Sequence, residues 1–289
     1  MKTNRIKATI FLLISLAGFQ PLYAQNEIKE QLVVPLSEPN KPGSLQVNLI
    51  NGSIRVTGYS GKEVVIDAAT GTDPSGPDAR PHGRRATGED KPDELAGGMK
   101  KLSNRGGLDI TAKEKNNAVQ VSSGMINRSV NLTIKVPQQF SLKLSTVNDG
   151  DIVVENVNGE LEVKNVNGQV QLNNVSGAAV ANTINGPVKA TFRNVNADAP
   201  MAFSTLNGNL DVTFPANAKF NVKLKTDQGD IYTDFDVDVD KTQPKGSRSS
   251  QDGMYKVSVD DWVQGKVNGG GREVMMKNMH GNIYIRKAK

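Results

Sequence analysis

A nine-residue repeat in the middle of the chain is the feature that most limits what it can fold into. Five glycines follow one another at intervals of nine residues: Gly150, Gly159, Gly168, Gly177 and Gly186. Between them, apolar and polar residues alternate over short segments, which is the pattern of a β-strand with one buried face. Asn and Gly tolerate positive φ and therefore favour tight turns at the segment ends. The repeat predicts an all-β fold.

The residue that begins each turn is also repeated, and this favours stacked coils over hairpins. It is aliphatic throughout, in the series Val157, Val166, Val175, Ile184, Val195 and Leu206. Adjacent antiparallel hairpins with Asn-Gly turns are the alternative. A solenoid stacks equivalent residues of successive coils into ladders, which requires repetition at a fixed period. We therefore predict a parallel β-solenoid, with its handedness left open.

The length of one coil follows from strand geometry. Nine residues at ~3.3 Å each span only about 30 Å, too little for two strands and two turns. Two units should therefore form one 18-residue coil, with Gly150, Gly168 and Gly186 stacked on one edge. Beyond Gly186 the spacing lengthens, to Gly208 and then Gly229, so about 18–22 residues are expected per coil. The expected structural turn residues are Asn158, Gly159, Asn167, Gly168, Gly177, Asn185, Gly186, Asn207 and Gly208.

Two segments interrupt the strand pattern. Residues 71–99 are rich in Gly, Pro and charge, which predicts a disordered insertion. Residues 241–254 have a similar composition and predict an exposed loop. Both are expected to be insertions in one domain, at 25–289, rather than linkers between domains.

The first 24 residues have the pattern of a secretory signal peptide. Lys2, Arg5 and Lys7 precede an apolar stretch at 8–19, and Ala24 offers a cleavage position. The apolar stretch is too short to span a bilayer, so no transmembrane segment is predicted. Because the chain has no cysteine, it is not expected to be a lipoprotein. We predict export to the periplasm, the outer cell surface or the medium.

Net charge gives no indication of a nucleic-acid partner. The formal charge is +5, from 35 basic and 30 acidic residues. Removing the three basic residues of the signal peptide leaves 32 against 30, a net charge of +2. The expected partners are instead an envelope protein or a polysaccharide, and the oligomeric state stays open.

Several motifs together resemble a known family. The chain resembles the putative-adhesin family of β-strand-repeat proteins in five features. They are the stretch 132–137, the strand pattern of 140–146, the repeated Asn-Gly turns that follow it, Gly269-Gly-Gly and the closing segment 281–285. The resemblance covers about residues 44–287. It implies a β-solenoid domain of the bacterial envelope, of unknown function, and supplies no catalytic motif.

An acidic run is the main candidate for chemistry. Asp234, Asp236, Asp238 and Asp240 alternate with Phe235, Val237 and Val239. In a strand the four carboxylates would share one face, where a cation would relieve their repulsion. A solvated strand face is the alternative. A low-affinity calcium site is therefore the one metal site predicted, and no other cofactor is expected.

The functional prediction is a non-enzymatic, structural or adhesive surface of the cell envelope. The sequence contains no Gly-x-Ser-x-Gly elbow, phosphate-binding loop or His-Glu-x-x-His motif. The alternative is a carbohydrate-active enzyme, a polysaccharide lyase or hydrolase, on a β-helix scaffold. A cleft with converging acids and bases would favour that alternative.

Overall fold

A computed structural model describes residues 28–70, 108–125, 128–148, 150–196, 199–240, 247–251, 254–258 and 262–289. Every regular element in these ranges is a β-strand, so the all-β class is confirmed. None of the described ranges contains a helix of the length and apolarity that a membrane crossing requires. The predicted signal peptide, the 71–99 insertion and residues 241–246 lie outside the described residues.

The strands fall into three groups along the chain. The N-terminal group is β1 (Lys29–Pro35), β2 (Gly43–Asn48), β3 (Ile54–Tyr59), β4 (Glu63–Thr70), β5 (Ile110–Lys115), β6 (Ala118–Ser123) and β7 (Val130–Pro137). The central group is β8 (Phe140–Thr146), β9 (Ile152–Glu155), β10 (Asn158–Asn165), β11 (Val170–Asn182), β12 (Val188–Val195), β13 (Met201–Asn207) and β14 (Leu210–Phe214). The C-terminal group is β15 (Phe220–Gln228), β16 (Ile231–Thr233), β17 (Val237–Val239), β18 (Ser247–Gln251), β19 (Met254–Ser258), β20 (Val263–Val267), β21 (Glu273–His280) and β22 (Ile283–Lys287).

The central strands stack as parallel coils. Ile152 of β9 pairs with Val170 of β11, and Val170 pairs with Val188 of β12, an offset of 18 residues each time. From Val188 to Leu210 of β14 the offset becomes 22. Within residues 140–214, the coil therefore has the predicted length and direction.

Two columns of strands enclose the core. The front column contains β2, β8, β10, the end of β11, β13, β21 and β15, and the back column contains β3, β9, the start of β11, β12, β14, β22 and β16. Because side chains alternate across a strand, every second residue points inward. The inner ladder of the back column is fully buried and consists of Ile54, Ile152, Val170, Val188, Leu210 and Ile283.

The order of layers differs from the order of the chain. Strands β2 and β3 lie between the β6–β7 and β8–β9 layers. Strands β21 and β22 lie between the β13–β14 and β15–β16 layers. Gly208 and Gly229, whose spacing contributed to the expected coil length, are therefore not direct neighbours, because Gly281 lies between them. Glycine spacing indicates coil length, and it does not indicate which coil becomes the neighbour.

Antiparallel strands lie at both ends, so the parallel solenoid is only part of the fold. Strand β4 pairs antiparallel with β1 and β7, β5 with β6, and β20 with β15 and β17. A two-residue turn explains β5–β6, because Asn116 and Asn117 both have positive φ, as a type I′ turn requires. The described part of the predicted 241–254 loop contributes to a separate hairpin, β18–β19.

Candidate functional site

One edge of the solenoid carries the predicted Asn-Gly turns. Gly168, Gly186 and Gly208 have φ of 146°, 151° and 152°. The preceding asparagines form an exposed amide ladder, in which the Asn185 Nδ2 donates to Asn167 Oδ1 and the Asn207 Nδ2 donates to Asn185 Oδ1, both at 2.8 Å. We call this the glycine edge.

A column of side-chain donors, all buried except the half-buried Thr226, stabilises the glycine edge, and sequence reasoning missed it. Each member donates a side-chain hydrogen bond to a glycine carbonyl of the adjacent layer, as Thr183 Oγ1 does to Gly168 at 2.9 Å. The column is Thr146, Asn165, Thr183, Thr205, Asn278 and Thr226. All but Thr146 stand three residues before a turn glycine, and this recurrence is the signal that could have found them.

The opposite edge turns at residues other than those predicted. Asn158 and Gly159 lie inside β10, and Gly177 lies inside β11 although its φ is 111°. Positive φ also falls on Asn156 and Asn174, three residues before Gly159 and Gly177, where φ is 57° and 56°. The aliphatic residues that precede the repeat glycines by two positions differ in exposure between the two edges. Val157 and Val175 are buried at this edge, whereas Ile184 and Leu206 are 43% exposed at the glycine edge.

The acidic run is spread along an exposed segment. Only Val237–Val239 forms a strand, in which Asp238 lies opposite Lys266. Phe235 is buried, while Asp234 and Asp236 are exposed. In the described ranges, no three Asp, Glu or His side chains are close enough together to hold a metal ion. The calcium site stays a prediction.

The outward face of the front column carries one cluster of ion pairs, around Glu162. The Glu162 carboxylate accepts from Lys164 Nζ at 2.6 Å and lies 3.0 Å from Lys143 Nζ. The hydrogen bond from Lys164, followed by that from Lys143, lowers the pKa of Glu162. The carboxylate is therefore kept ionised. A neighbouring cavity of 590 Å³ is bordered by Val180, Ala199 and Pro200.

One row of the back column's outward side contains one residue from each layer, and all of them are at least partly exposed except Val153, which is buried. In order along the stack these are Arg55, Val153, Gln171, Lys189, Asp211, Tyr284 and Tyr232. We call this series the back stripe. Beside its Arg55 end lies a polar cavity of 440 Å³, lined by Ser53, Asn131, Asp151 and Gln169 among others. Both Asp151 carboxylate oxygens accept hydrogen bonds from Gln169, at 2.9 Å each.

Two tyrosines close the other end of the back stripe. The rings of Tyr232 and Tyr284 are stacked, with centroids 5.3 Å apart and planes 11° apart. Arg286 lies 5.0 Å from the Tyr284 ring centroid and donates from Nε to Asp211 at 2.7 Å. Tyr232 Oη donates to Asp230 at 3.2 Å. The charge of Asp230 raises the pKa of Tyr232, so this hydroxyl stays protonated.

Residues 141–285 match the profile of the family described as Toastrack DUF4097. The chain belongs to the Toastrack DUF4097 family. The match runs from β8 to β22 and therefore includes the glycine edge and the stacked tyrosines. It confirms the resemblance to a family of β-strand-repeat proteins of unknown function.

Two solved structures are also similar to this Toastrack chain. One is a putative cell adhesion protein from Clostridium sporogenes, 11% identical, with a TM-score of 0.43, covering 91% of this chain and 100% of that one. The other is a putative adhesin from Bacteroides fragilis, 13% identical, with a TM-score of 0.39, covering 92% of this chain and 98% of that one. No curated protein matches the sequence.

Proposed function

We propose that the protein is exported and acts, without catalysis, as a structural or adhesive surface of the bacterial cell envelope. The observation that carries this proposal is the back stripe. It contains one outward residue from each of seven layers, six of them at least partly exposed, and all seven are held in register by parallel pairing. Rigid, extended surfaces of this kind are what repeat proteins use for binding.

The state of the carboxylates favours binding over acid–base catalysis. A glycoside hydrolase needs one carboxylic acid with a raised pKa to protonate the leaving group. The carboxyls of Glu162 and Glu114 instead have a lowered pKa, Glu162 through its lysines and Glu114 chiefly through the Ser37 hydroxyl. At the polar cavity, both Asp151 oxygens are engaged by Gln169. The carbohydrate-active enzyme remains the alternative function.

Cell fractionation tests the proposal directly. The chain with its natural N-terminus is expressed in a Gram-negative host, and periplasm, membranes, cytoplasm and medium are probed separately. We expect to find the protein outside the cytoplasm, because the signal peptide is cut after Ala24. Its measured mass should be that of the chain from Gln25 to Lys289. Cytoplasmic protein that retains Met1 would contradict export. Release of reducing ends or unsaturated products from polysaccharides by the purified protein would establish the enzyme instead.

A further inference from the structure

We propose that Tyr232 and Tyr284 form a binding platform for a neutral glycan at the end of the back stripe. This inference deepens the proposed function by naming a ligand class for the same surface. An uncharged sugar ring fits the platform, because it has one apolar face for stacking and hydroxyls at its edge for hydrogen bonds. The ring geometry, the polar rim and the local charge support this assignment.

The ring geometry leaves one aromatic face open. Tyr232 lies on β16, whose one strand neighbour in the described part of the chain is β22. Tyr284 covers one face of its ring, and 49% of Tyr232 is nevertheless exposed. The exposed area therefore lies on the opposite face and at the ring edge. An exposed, flat aromatic surface with a polar tip is suited to stacking on a ring that has one apolar face.

The polar rim fixes these rings and offers groups for hydroxyls. Asn282 Nδ2 donates to Tyr284 Oη at 3.0 Å, and Asn282 Oδ1 accepts from the Asp230 backbone N–H at 2.9 Å. The exposed Asp230 carboxylate accepts from Tyr232 and has further lone pairs to accept sugar hydroxyls. Binding sites combine such an apolar surface with a few placed polar groups.

Local charge favours a neutral glycan over an acidic one. Asp230 contacts Tyr232, and Arg286, which lies against the Tyr284 ring, interacts with Asp211 and Asp234. Arg286 is paired with Asp211, and Lys287 Nζ lies 5.2 Å from the Phe235 ring centroid. The Asp230 carboxylate beside Tyr232 would repel a uronate or a phosphate. Sugar hydroxyls, which can donate to that carboxylate, meet no such repulsion.

The back stripe provides a path beyond the platform. From Tyr232 to Arg55 the stripe crosses six layer spacings, about 29 Å at ~4.8 Å per layer. Lys189, Gln171 and Arg55 offer hydrogen-bond donors along it. A glycan chain anchored on the tyrosines can therefore extend across several layers. A peptide that adds to the free edge of β16 is the competing occupant, and it would not need the rings.

Affinity electrophoresis in gels that contain a soluble polysaccharide tests this inference. The probes are laminarin, dextran and yeast mannan as neutral glycans, and polygalacturonate as the acidic one. We expect at least one neutral glycan to retard the protein and polygalacturonate not to do so. Tyr232→Ala should lower the affinity about tenfold or more, because it removes the exposed stacking face. Tyr284→Ala should lower it as well, because it removes the ring on which Tyr232 is stacked. Tyr232→Phe should stay within about threefold of the wild type, because it keeps the ring.

Tyr59→Ala is the matched control. It removes a half-buried tyrosine of β3, at the other end of the stack, whose hydroxyl donates to the Glu63 carbonyl. It should bind like the wild type, and thermal melts of all variants report on folding. No retardation by any neutral glycan, unchanged retardation of Tyr232→Ala, or retardation by polygalacturonate alone would each overturn the inference. None of these outcomes affects the fractionation test, so export can stand while the glycan inference fails.

Discussion

At the scale of single residues, the donor column below the glycine edge explains how a tight stack avoids buried, unpaired carbonyls. A glycine at each turn lets the next layer approach closely, and its carbonyl then points at the layer above. Thr183 and Thr205 satisfy these carbonyls with one hydroxyl each. Asn165 and Asn278 do the same with an amide, but their Oδ1 atoms are buried without a partner. Two layers therefore retain an unpaired polar atom that the threonine layers avoid.

This difference predicts that Asn165→Thr stabilises the protein. The hydroxyl should keep the hydrogen bond to the Gly150 carbonyl, and the unpaired Oδ1 disappears. We expect the free energy of unfolding to rise by about 1 kcal/mol and Tm by about 2–4 °C. Loss of the longer contact to the Gln169 carbonyl should reduce this gain somewhat. Asn165→Val is the control, because it has the shape of threonine without the donor. A melting temperature for Asn165→Thr at or below that of Asn165→Val would contradict the role of the column.

Close approach at the glycine edge predicts a large cost for Gly186→Ala. A Cβ there would lie 2.6 Å from the Gly168 carbonyl carbon and would overlap its oxygen. Gly269→Ala is the control, since Gly269 also has positive φ, 87°, but no atom lies within 4 Å of the added Cβ. We expect urea unfolding to show that Gly186→Ala lowers the free energy of unfolding by about 2–4 kcal/mol, because it adds both a clash and backbone strain. Gly269→Ala should lower it by about 1 kcal/mol, because it adds strain alone. Equal losses would mean that layer contact is not what requires glycine.

At the scale of strands, the sequence predicted the coil but treated its two edges as alike. Alternation in the central repeat was enough to place Leu161, Val163, Val170 and Leu172 inside, as all four are buried. The nine-residue units, however, alternate between two different turns. At the glycine edge the turn falls on Asn-Gly itself and Ile184 points outward. At the opposite edge the chain bends earlier, at Asn174, within the continuous strand β11, and Val175 points inward.

The stacked tyrosines show a different gap between sequence and structure. Tyr232 and Tyr284 are 52 residues apart in sequence, and each is the third residue after a turn glycine, in Gly229-Asp-Ile-Tyr and Gly281-Asn-Ile-Tyr. They meet because β22 pairs with β16, a pairing that neither the glycine spacing nor the alternation specifies. Local pattern therefore predicts which residues face outward, whereas the grouping of those residues depends on layer order.

At the scale of the whole molecule, layer order makes the C-terminal strands an internal part of the stack. Strand β21 pairs with β13 on one side and β15 on the other, and β22 pairs with β14 and β16. In a solenoid with layers in chain order, the last strands would form a removable end. Here they join the central coils to the layer of β15 and β16, so their loss should separate the two.

Removal of residues 273–289 is therefore predicted to damage the fold more than removal of one internal coil of similar length. Deletion of 160–177 joins Gly159 to Ala178, and since Gly159 pairs with Gly177 and Glu160 with Ala178, the later strands keep their column and register. The truncation instead exposes both faces of a missing layer, including the buried residues Leu210 and Leu224 that pair with it. If stability is roughly a sum of nearest-neighbour contacts, the internal deletion keeps one continuous stack and the truncation does not.

We expect the internal deletion to remain soluble with one cooperative urea transition at a lower midpoint than the wild type, and the truncated chain to aggregate or to lose cooperativity. A truncated protein with the higher midpoint of the two would show that β21 and β22 act as an end layer, and would contradict the layer order.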